Sequence, residues 1–147
     1  MTDQHSAKRQ YPPHTAKRVV VHCMDDRLQG SLEPHVVGST GSAFRVSVAG
    51  GPAAFVWRES RAVMIDQIMA AYAINRIGQI DLVAHPDCGA YRRKGIRFAD
   101  FNAEVAGLYA DLNRAAAIIW QAFVDAGVDL RTIKIRCLAV ELDGRRV

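Results

Sequence analysis

Two short segments of the chain combine metal-binding and charged side chains. In the first, a run of three valines and then His22 are followed by Cys23, Asp25 and Arg27, each separated from the next by one residue. In the second, His85 and Cys88 are three residues apart at the end of another apolar run. Two thiols and an imidazole are ligands that zinc prefers in a tetrahedral site. The spacing therefore indicates a Cys/His metal site whose two halves are remote in sequence.

The two apolar runs before these segments predict how the halves meet. Residues 18–23 and 80–84 are typical of buried strands, since they are short, β-branched or aliphatic, and end in polar residues. In an extended chain, Cys23, Asp25 and Arg27 project from the same side. Ligands of open α/β sheets lie beyond the carboxyl ends of the strands. We therefore expect both segments at one edge of a sheet.

The remaining patterns predict an α/β fold with a mostly parallel central sheet of about four to five strands flanked by helices. Residues 28–41 and 90–101 are interpreted as loops, the first with at most one helical turn. The further predicted elements are strands at 43–49 and 132–140 and helices at about 58–77 and about 105–127.

The length and composition predict one domain. The chain has 147 residues, half of them hydrophobic, which is enough for a single core. Residues 1–17 are polar and contain two adjacent prolines, so we interpret them as a mobile leader or dimer arm, and 18–147 as a single zinc-binding α/β domain. Without a membrane-spanning or secretory pattern, we expect a cytoplasmic protein with no membrane partner.

The charges argue against nucleic-acid binding, and the cysteines argue against a disulfide framework. The net charge of +4 comes from scattered basic residues and one basic run at 92–94, with Tyr91 beside it. Nucleic-acid binding needs a broader basic face with stacking aromatics, so we expect no nucleic-acid partner. Three cysteines in such a chain favour free thiols or metal ligands over a disulfide framework.

Each candidate ligand also has a simpler structural interpretation. A cysteine at the end of a buried strand is most often a small core residue, and we interpret Cys137 in that way. His14, His22 and His35 are interpreted as structural histidines. The combination of Cys-x-Asp-x-Arg and His-x-x-Cys-Gly, each ending its own apolar strand, is far more specific than any single member.

This combination resembles the β-class carbonic anhydrases. Their pattern is Cys-x-Asp-x-Arg, then an Ala-Gly-rich turn, then His-x-x-Cys-Gly. The matching segments here are 23–27, Ala49-Gly50-Gly51 and 85–89, and the resemblance extends over about 17–147. It identifies the chain as a short, divergent relative of that family.

The resemblance implies a Zn²⁺ cofactor held by Cys23, His85 and Cys88. It implies that Asp25 either closes the metal shell as a fourth ligand or pairs with Arg27 and leaves room for water. The implied reaction is the reversible hydration of CO2 to bicarbonate by zinc-bound hydroxide, a lyase activity in which Asp25 and Arg27 are catalytic.

The resemblance also implies roles for the glycine turn and for the assembly. Gly50 and Gly51 are assigned to substrate binding, because in the family this segment helps to build the wall of the active site. The small-molecule substrate is CO2 or bicarbonate. A homodimer or higher homo-oligomer is expected, since the family is built from dimers with clefts at the subunit interface.

Three positions depart from the family pattern. Asp26 stands where a small residue is usual, and Ser47 and Val48 stand where Arg and Asn are usual. These departures affect the wall of the site more than its metal ligands. Two alternatives therefore stay open: a zinc-binding homologue with a structural or binding role, and a hydrolase of another small electrophile such as carbon disulfide or carbonyl sulfide.

Overall fold

The structure, a computed structural model, describes residues 10–32 and 42–147. Within them the chain forms one four-stranded sheet of order β2-β1-β3-β4, with every neighbouring pair parallel. The strands are β1 (Arg18–Cys23), β2 (Phe44–Val48), β3 (Gln79–Ala84) and β4 (Lys134–Ala139). The helices are α1 (Asp26–Leu32), α2 (Ala53–Val56), α3 (Arg61–Asn75), α4 (Gly89–Arg93) and α5 (Phe101–Asp125). The predicted α/β fold with a mostly parallel sheet and flanking helices is confirmed.

The two central strands are buried along almost their whole length. Val19, Val20 and Val21 of β1 are fully buried, as are Leu82 and Val83 of β3. Parallel strands covered on both faces have such continuous apolar sequences, because helices occupy both sides. The edge strand β2 instead alternates half-buried and exposed residues. The apolar runs therefore place β1 and β3 in the centre, where their carboxyl ends lie side by side.

The longest helix, α5, covers one side of this core. Its buried residues recur at three- and four-residue spacing and are Leu108, Leu112, Ala115, Ile119 and Phe123. The helix begins at Phe101 because the Asp100 carboxylate caps it by accepting a hydrogen bond from Ala103 N at 2.8 Å. None of the helices in the described ranges is both long and apolar enough to cross a membrane.

Several short elements differ from the sequence prediction. Helix α1 begins at Asp26 and makes about two turns, where a loop was predicted from residue 28; residues 33–41 of that loop lie outside the described residues. Helix α4 occupies the start of the predicted loop at 90–101. Helix α2 was not predicted. All three are too short to show a helical period, which is the signal that the prediction used.

The predicted leader, 1–17, lies only partly within the described residues, which begin at 10. Ala16 is buried, and Asn75 Nδ2 at the end of α3 donates to Ala16 O at 2.7 Å and to His14 O at 3.1 Å. The last residues before β1 are thus held against the domain. A role of the leader as a dimer arm stays a prediction.

We expect Arg136→Ala to lower the free energy of unfolding by about 3 kcal/mol, because it leaves a buried carboxylate poorly paired. Asp81 on β3 is fully buried, and Arg136 donates to it from Nε at 2.7 Å and from Nη2 at 2.9 Å. Urea unfolding measures the loss. Arg114→Ala, at an exposed ion pair, is the control and should change stability by less than about 0.5 kcal/mol. Equal, small effects for both variants would contradict this role of Asp81.

Candidate metal centre

The sheet topology places both predicted segments at one edge. Cys23 is the last residue of β1, and His85 directly follows β3, the strand that pairs with β1. Cys88 lies three residues further on, immediately before α4. Because neighbouring parallel strands end at the same edge, the three side chains converge there.

The three candidate donor atoms form one compact, buried cluster. The Sγ atoms of Cys23 and Cys88 and a ring nitrogen of His85 all lie within 4.8 Å of one another. The two sulfurs are 3.8 Å apart. Each of the three residues is at most 5% exposed. Two sulfur donors and one nitrogen donor in this arrangement are suited to a zinc-type metal ion.

The tautomer of His85 leaves one ring nitrogen free to bind a metal. Its Nδ1 lies 2.8 Å from the carbonyl oxygen of Pro86, which can only accept, so Nδ1 carries the hydrogen and Nε2 has a free lone pair. Nε2 is buried and has no hydrogen-bond partner. His22 also has a buried, unpartnered Nε2, but it is not part of the cluster. The two sulfurs within reach of His85 are what fit a metal ion.

The electrostatics of the cluster favour a cation. The pKa of Cys23 is lowered, mainly by its hydrogen bond from Cys88, while the same contact raises the pKa of Cys88. Burial lowers the pKa of His85, but the nearby Cys23 sulfur and the hydrogen bond to the Pro86 carbonyl outweigh it, so the net shift of the pKa is upward. These opposite shifts favour a Cys23 thiolate that accepts a hydrogen bond from the Cys88 thiol. A bound divalent cation would displace the second proton, because metals bind the thiolate.

Asp25 and Arg27 form a close ion pair next to the cluster. Arg27 Nε and Nη2 donate to Asp25 Oδ1 and Oδ2 at 3.0 and 2.7 Å. These bonds hold the pKa of Asp25 down to about 2. Asp25 Oδ2 is 3.9 Å from His85 Nε2, yet Asp25 is not part of the donor cluster. In this structure Asp25 is therefore paired with Arg27 at the edge of the cluster.

Asp87 is a further member of the site that the sequence analysis did not assign. Its Oδ2 accepts from Arg27 Nη1 at 3.0 Å, and its Oδ1 accepts from Arg92 Nη1. The pKa of Asp87 is lowered, first by Arg27 and then by Arg92. A carboxylate between the two residues of the His-x-x-Cys motif, followed by a basic run, was the available signal.

The glycine turn lies directly beneath Cys23. Gly50 and Gly51 have left-handed φ angles of 82° and 53°, which favour glycine. A Cβ on Gly51 would stand 2.8 Å from Cys23 N, and one on Gly50 would stand 2.5 Å from the Trp57 ring. The turn needs glycine for close backbone approach, and this packing fixes the position of the Cys23 backbone.

A cavity of about 460 Å³ opens beside the cluster. It is lined by Cys23, Met24, Asp25, Asp26, Arg27, Ala49, Gly89, Ala90 and Arg92. Gly50 and Gly51 are not among these residues, so Ala49 is the residue of the Ala-Gly-Gly turn that lines the cavity. A second cavity, of about 690 Å³, shares Ala49 and Ala90 with the first.

Sequence comparisons alone do not assign the chain to a family. No family model matches it, and no curated protein matches it in sequence.

Comparison of structures finds similar proteins. One of two tetrameric β-carbonic anhydrases from Sordaria macrospora matches with a TM-score of 0.60 and 14% identity, covering 90% of this chain and 79% of that one. A carbonic anhydrase from Streptococcus mutans matches at 0.55 and 20% identity, and a β-carbonic anhydrase from Trichomonas vaginalis at 0.55 and 16%. Both cover 95% of this chain and 86% of their own. The chain has the fold of the β-carbonic anhydrases, which confirms, at the level of the fold, the resemblance that its two motifs indicate.

Proposed function

We propose that the protein binds one zinc ion through Cys23, His85 and Cys88 and catalyses the reversible hydration of CO2 to bicarbonate. The observation that carries this proposal is the buried donor cluster with an unpartnered His85 Nε2 beside the Asp25–Arg27 pair. The β-carbonic anhydrase fold supports it, because the same three side chains match the motifs of that family.

The protein residues divide into ligands and an orienting pair. When bound, zinc supplies Lewis acidity that makes water a nucleophile near neutral pH. Two thiolates and a neutral imidazole balance the charge of the cation. Asp25 stays ionised because Arg27 donates to both of its oxygens. Its Oδ2 lies 3.9 Å from His85 Nε2, where it would accept a hydrogen bond from the water nucleophile and orient it.

Arg27 has a second task in this proposal. The Asp25 carboxylate lies 3.9 Å from His85 Nε2, so a rotation toward the cluster would make it a fourth ligand. Ligation by Asp25 would add negative charge and close the position that water needs. The bidentate contact with Arg27 holds the carboxylate away from the ligand set.

The cavity beside the cluster is suited to a small, uncharged substrate. Ala49, Gly89 and Ala90 give it an apolar side, which suits CO2, while Arg92 lies at the same wall and suits the bicarbonate product. We place Gly50 and Gly51 behind this wall, where their backbone lets Ala49 approach both the substrate and Cys23.

We also propose that the protein forms a homo-oligomer in the cytoplasm. Among residues 10–32 and 42–147, β2 pairs with a strand on one side only, and an edge strand of this kind can pair with another chain. The similar proteins include tetrameric β-carbonic anhydrases. The three cysteines are free, which suits a reducing compartment. Size exclusion with light scattering tests the assembly, and a strict monomer would contradict it.

The test of the proposed function combines metal analysis with stopped-flow CO2 hydration on the same preparation. We expect one zinc per chain and turnover above the buffer rate. Zinc without turnover would overturn the hydratase reaction and favour a structural role or another small electrophile. Protein that takes up no zinc would overturn the proposal as a whole.

A further inference from the structure

The guanidinium of Arg27 is held from two sides. On one side it donates to both oxygens of Asp25. On the other, Nη1 donates to Asp87 Oδ2 at 3.0 Å and Nη2 donates to Asp87 O at 3.1 Å. Four N–H groups of Arg27 are therefore used, and the second side belongs to the loop between the proposed ligands His85 and Cys88.

The same local pairing elsewhere in the chain shows what is special here. In Asp129-Leu130-Arg131, Arg131 N and Nε donate to Asp129 Oδ1 at 3.0 Å, and Nη2 donates to Oδ2 at 2.9 Å. These contacts nearly match those of Asp25 and Arg27, so the Asp-x-Arg pair forms by itself in an exposed turn. Within the described ranges Arg131 contacts no second carboxylate. The contact with Asp87 is the added feature.

Asp87 is itself fixed by its surroundings. It has a left-handed φ of 57°, an uncommon conformation for a residue with a side chain. Its backbone N donates to Glu104 Oε1 at 2.6 Å in the first turn of α5, and its Oδ1 accepts from Arg92. Strained residues held by several contacts cluster at functional sites. The side chain is 55% exposed, so each ion pair is weak alone, and the set of contacts is what gives a fixed geometry.

We propose that Asp87 is a positioning residue that holds Arg27, and through it Asp25, in the orientation that keeps the Asp25 carboxylate off the metal. This inference rests on the proposed function of the site. Arg92 and Glu104 support Asp87 from behind. The consequence is that the loop carrying two metal ligands also sets the geometry of the catalytic pair.

Asp87→Asn is the direct test, because asparagine tolerates a left-handed φ and keeps the size of the side chain. Its amide has one uncharged oxygen acceptor, so it cannot replace the two charged oxygens that accept from Arg27 and Arg92. We expect the rotation of the Arg27 guanidinium about its Cζ–Nε bond, measured by ¹⁵N NMR, to accelerate about tenfold. We expect kcat to fall about 10- to 100-fold with KM nearly unchanged and with zinc retained. The guanidinium signal that is missing from the spectrum of Arg27→Lys is assigned to Arg27.

Two further variants keep the test decisive. Arg92→Ala leaves the strained residue in place and should accelerate the Arg27 rotation by a smaller factor; only this rotation is compared for Arg92→Ala, because Arg92 also lines the substrate cavity. Asp129→Asn is the matched control and should change neither the Arg27 rotation nor kcat. If Arg27 rotates faster in Asp87→Asn but the wild-type protein has no hydratase activity, the positioning contact is supported and the proposed function is rejected. Unchanged Arg27 rotation in a folded Asp87→Asn protein would overturn the inference, whatever its activity.

Discussion

Replacing Cys23 with serine is expected to lower zinc affinity by at least about 100-fold and to abolish CO2 hydration. A serine hydroxyl stays protonated and is a harder donor, so the site loses one of its two sulfurs. Loss of an outer contact already costs about 10- to 100-fold in metal affinity, and loss of a direct ligand should cost more. Competition with a chromophoric chelator measures the affinity, and stopped-flow kinetics measures the activity.

Cys137→Ser is the matched control for this prediction. Cys137 lies on β4, and its thiol donates to Leu112 O at 3.7 Å, outside the donor cluster. It is half-buried, so the substitution tests whether loss of any thiol disturbs the protein. Zinc affinity within about twofold of wild type is expected for Cys137→Ser. If both variants kept zinc equally well, Cys23 would not be a ligand.

Arg27→Ala is expected to lower kcat/KM by about 100-fold or more while one zinc per chain is retained. The side-chain hydrogen bonds of Arg27 go to Asp25 and Asp87 and not to the three donor residues, so we expect the donor cluster to stay intact. Without Arg27, the Asp25 carboxylate loses its bidentate partner and can rotate toward His85 Nε2, which lies 3.9 Å from Asp25 Oδ2. Metal analysis and kinetics on the same sample separate the two effects.

The control for Arg27 is Arg131→Ala, which breaks the similar Asp129 pair in an exposed turn. It should leave kcat/KM and zinc content unchanged, because that turn is not part of the site. If zinc were lost together with activity in Arg27→Ala alone, Arg27 would have a structural role in the metal centre. Full activity in Arg27→Ala would exclude Arg27 from catalysis.

The sequence was most informative where burial is continuous. The valines of β1 and the aliphatic run of β3 predicted two buried strands, and the parallel arrangement then predicted that Cys23, His85 and Cys88 lie at one edge. This step needed only the direction of the strands and no distances. The structure brings the three donor atoms within 4.8 Å of one another.

The parts that the sequence did not predict depend on single residues instead of periods. Helix α1 begins at Asp26, whose charge is favourable at a helix N-terminus, yet its two turns are too few to give a pattern. The role of Asp87 depends on a left-handed φ and on Glu104, seventeen residues away. Neither the φ angle of Asp87 nor its contact with Glu104 leaves a periodic pattern in the sequence, so both are seen only in the structure.

The departures from the family pattern also become interpretable. Asp26 is exposed at the start of α1 and lines the cavity, so it adds a carboxylate at the mouth of the site. Ser47 and Val48 end β2, and Val48 O accepts from Met24 N at 3.0 Å, next to Cys23. A backbone contact of this kind does not require the Arg and Asn of the family. Of the three positions, only Asp26 lines the cavity beside the cluster, and none of them belongs to the donor cluster.

The measurement that tests the central claim most directly is X-ray absorption spectroscopy at the zinc edge on the purified protein. We predict two sulfur neighbours near ~2.3 Å and nitrogen or oxygen neighbours near ~2.0 Å. The Cys23→Ser protein, loaded with zinc, should show only one sulfur. A zinc ion surrounded by nitrogen and oxygen alone would contradict the assignment of Cys23 and Cys88 as ligands.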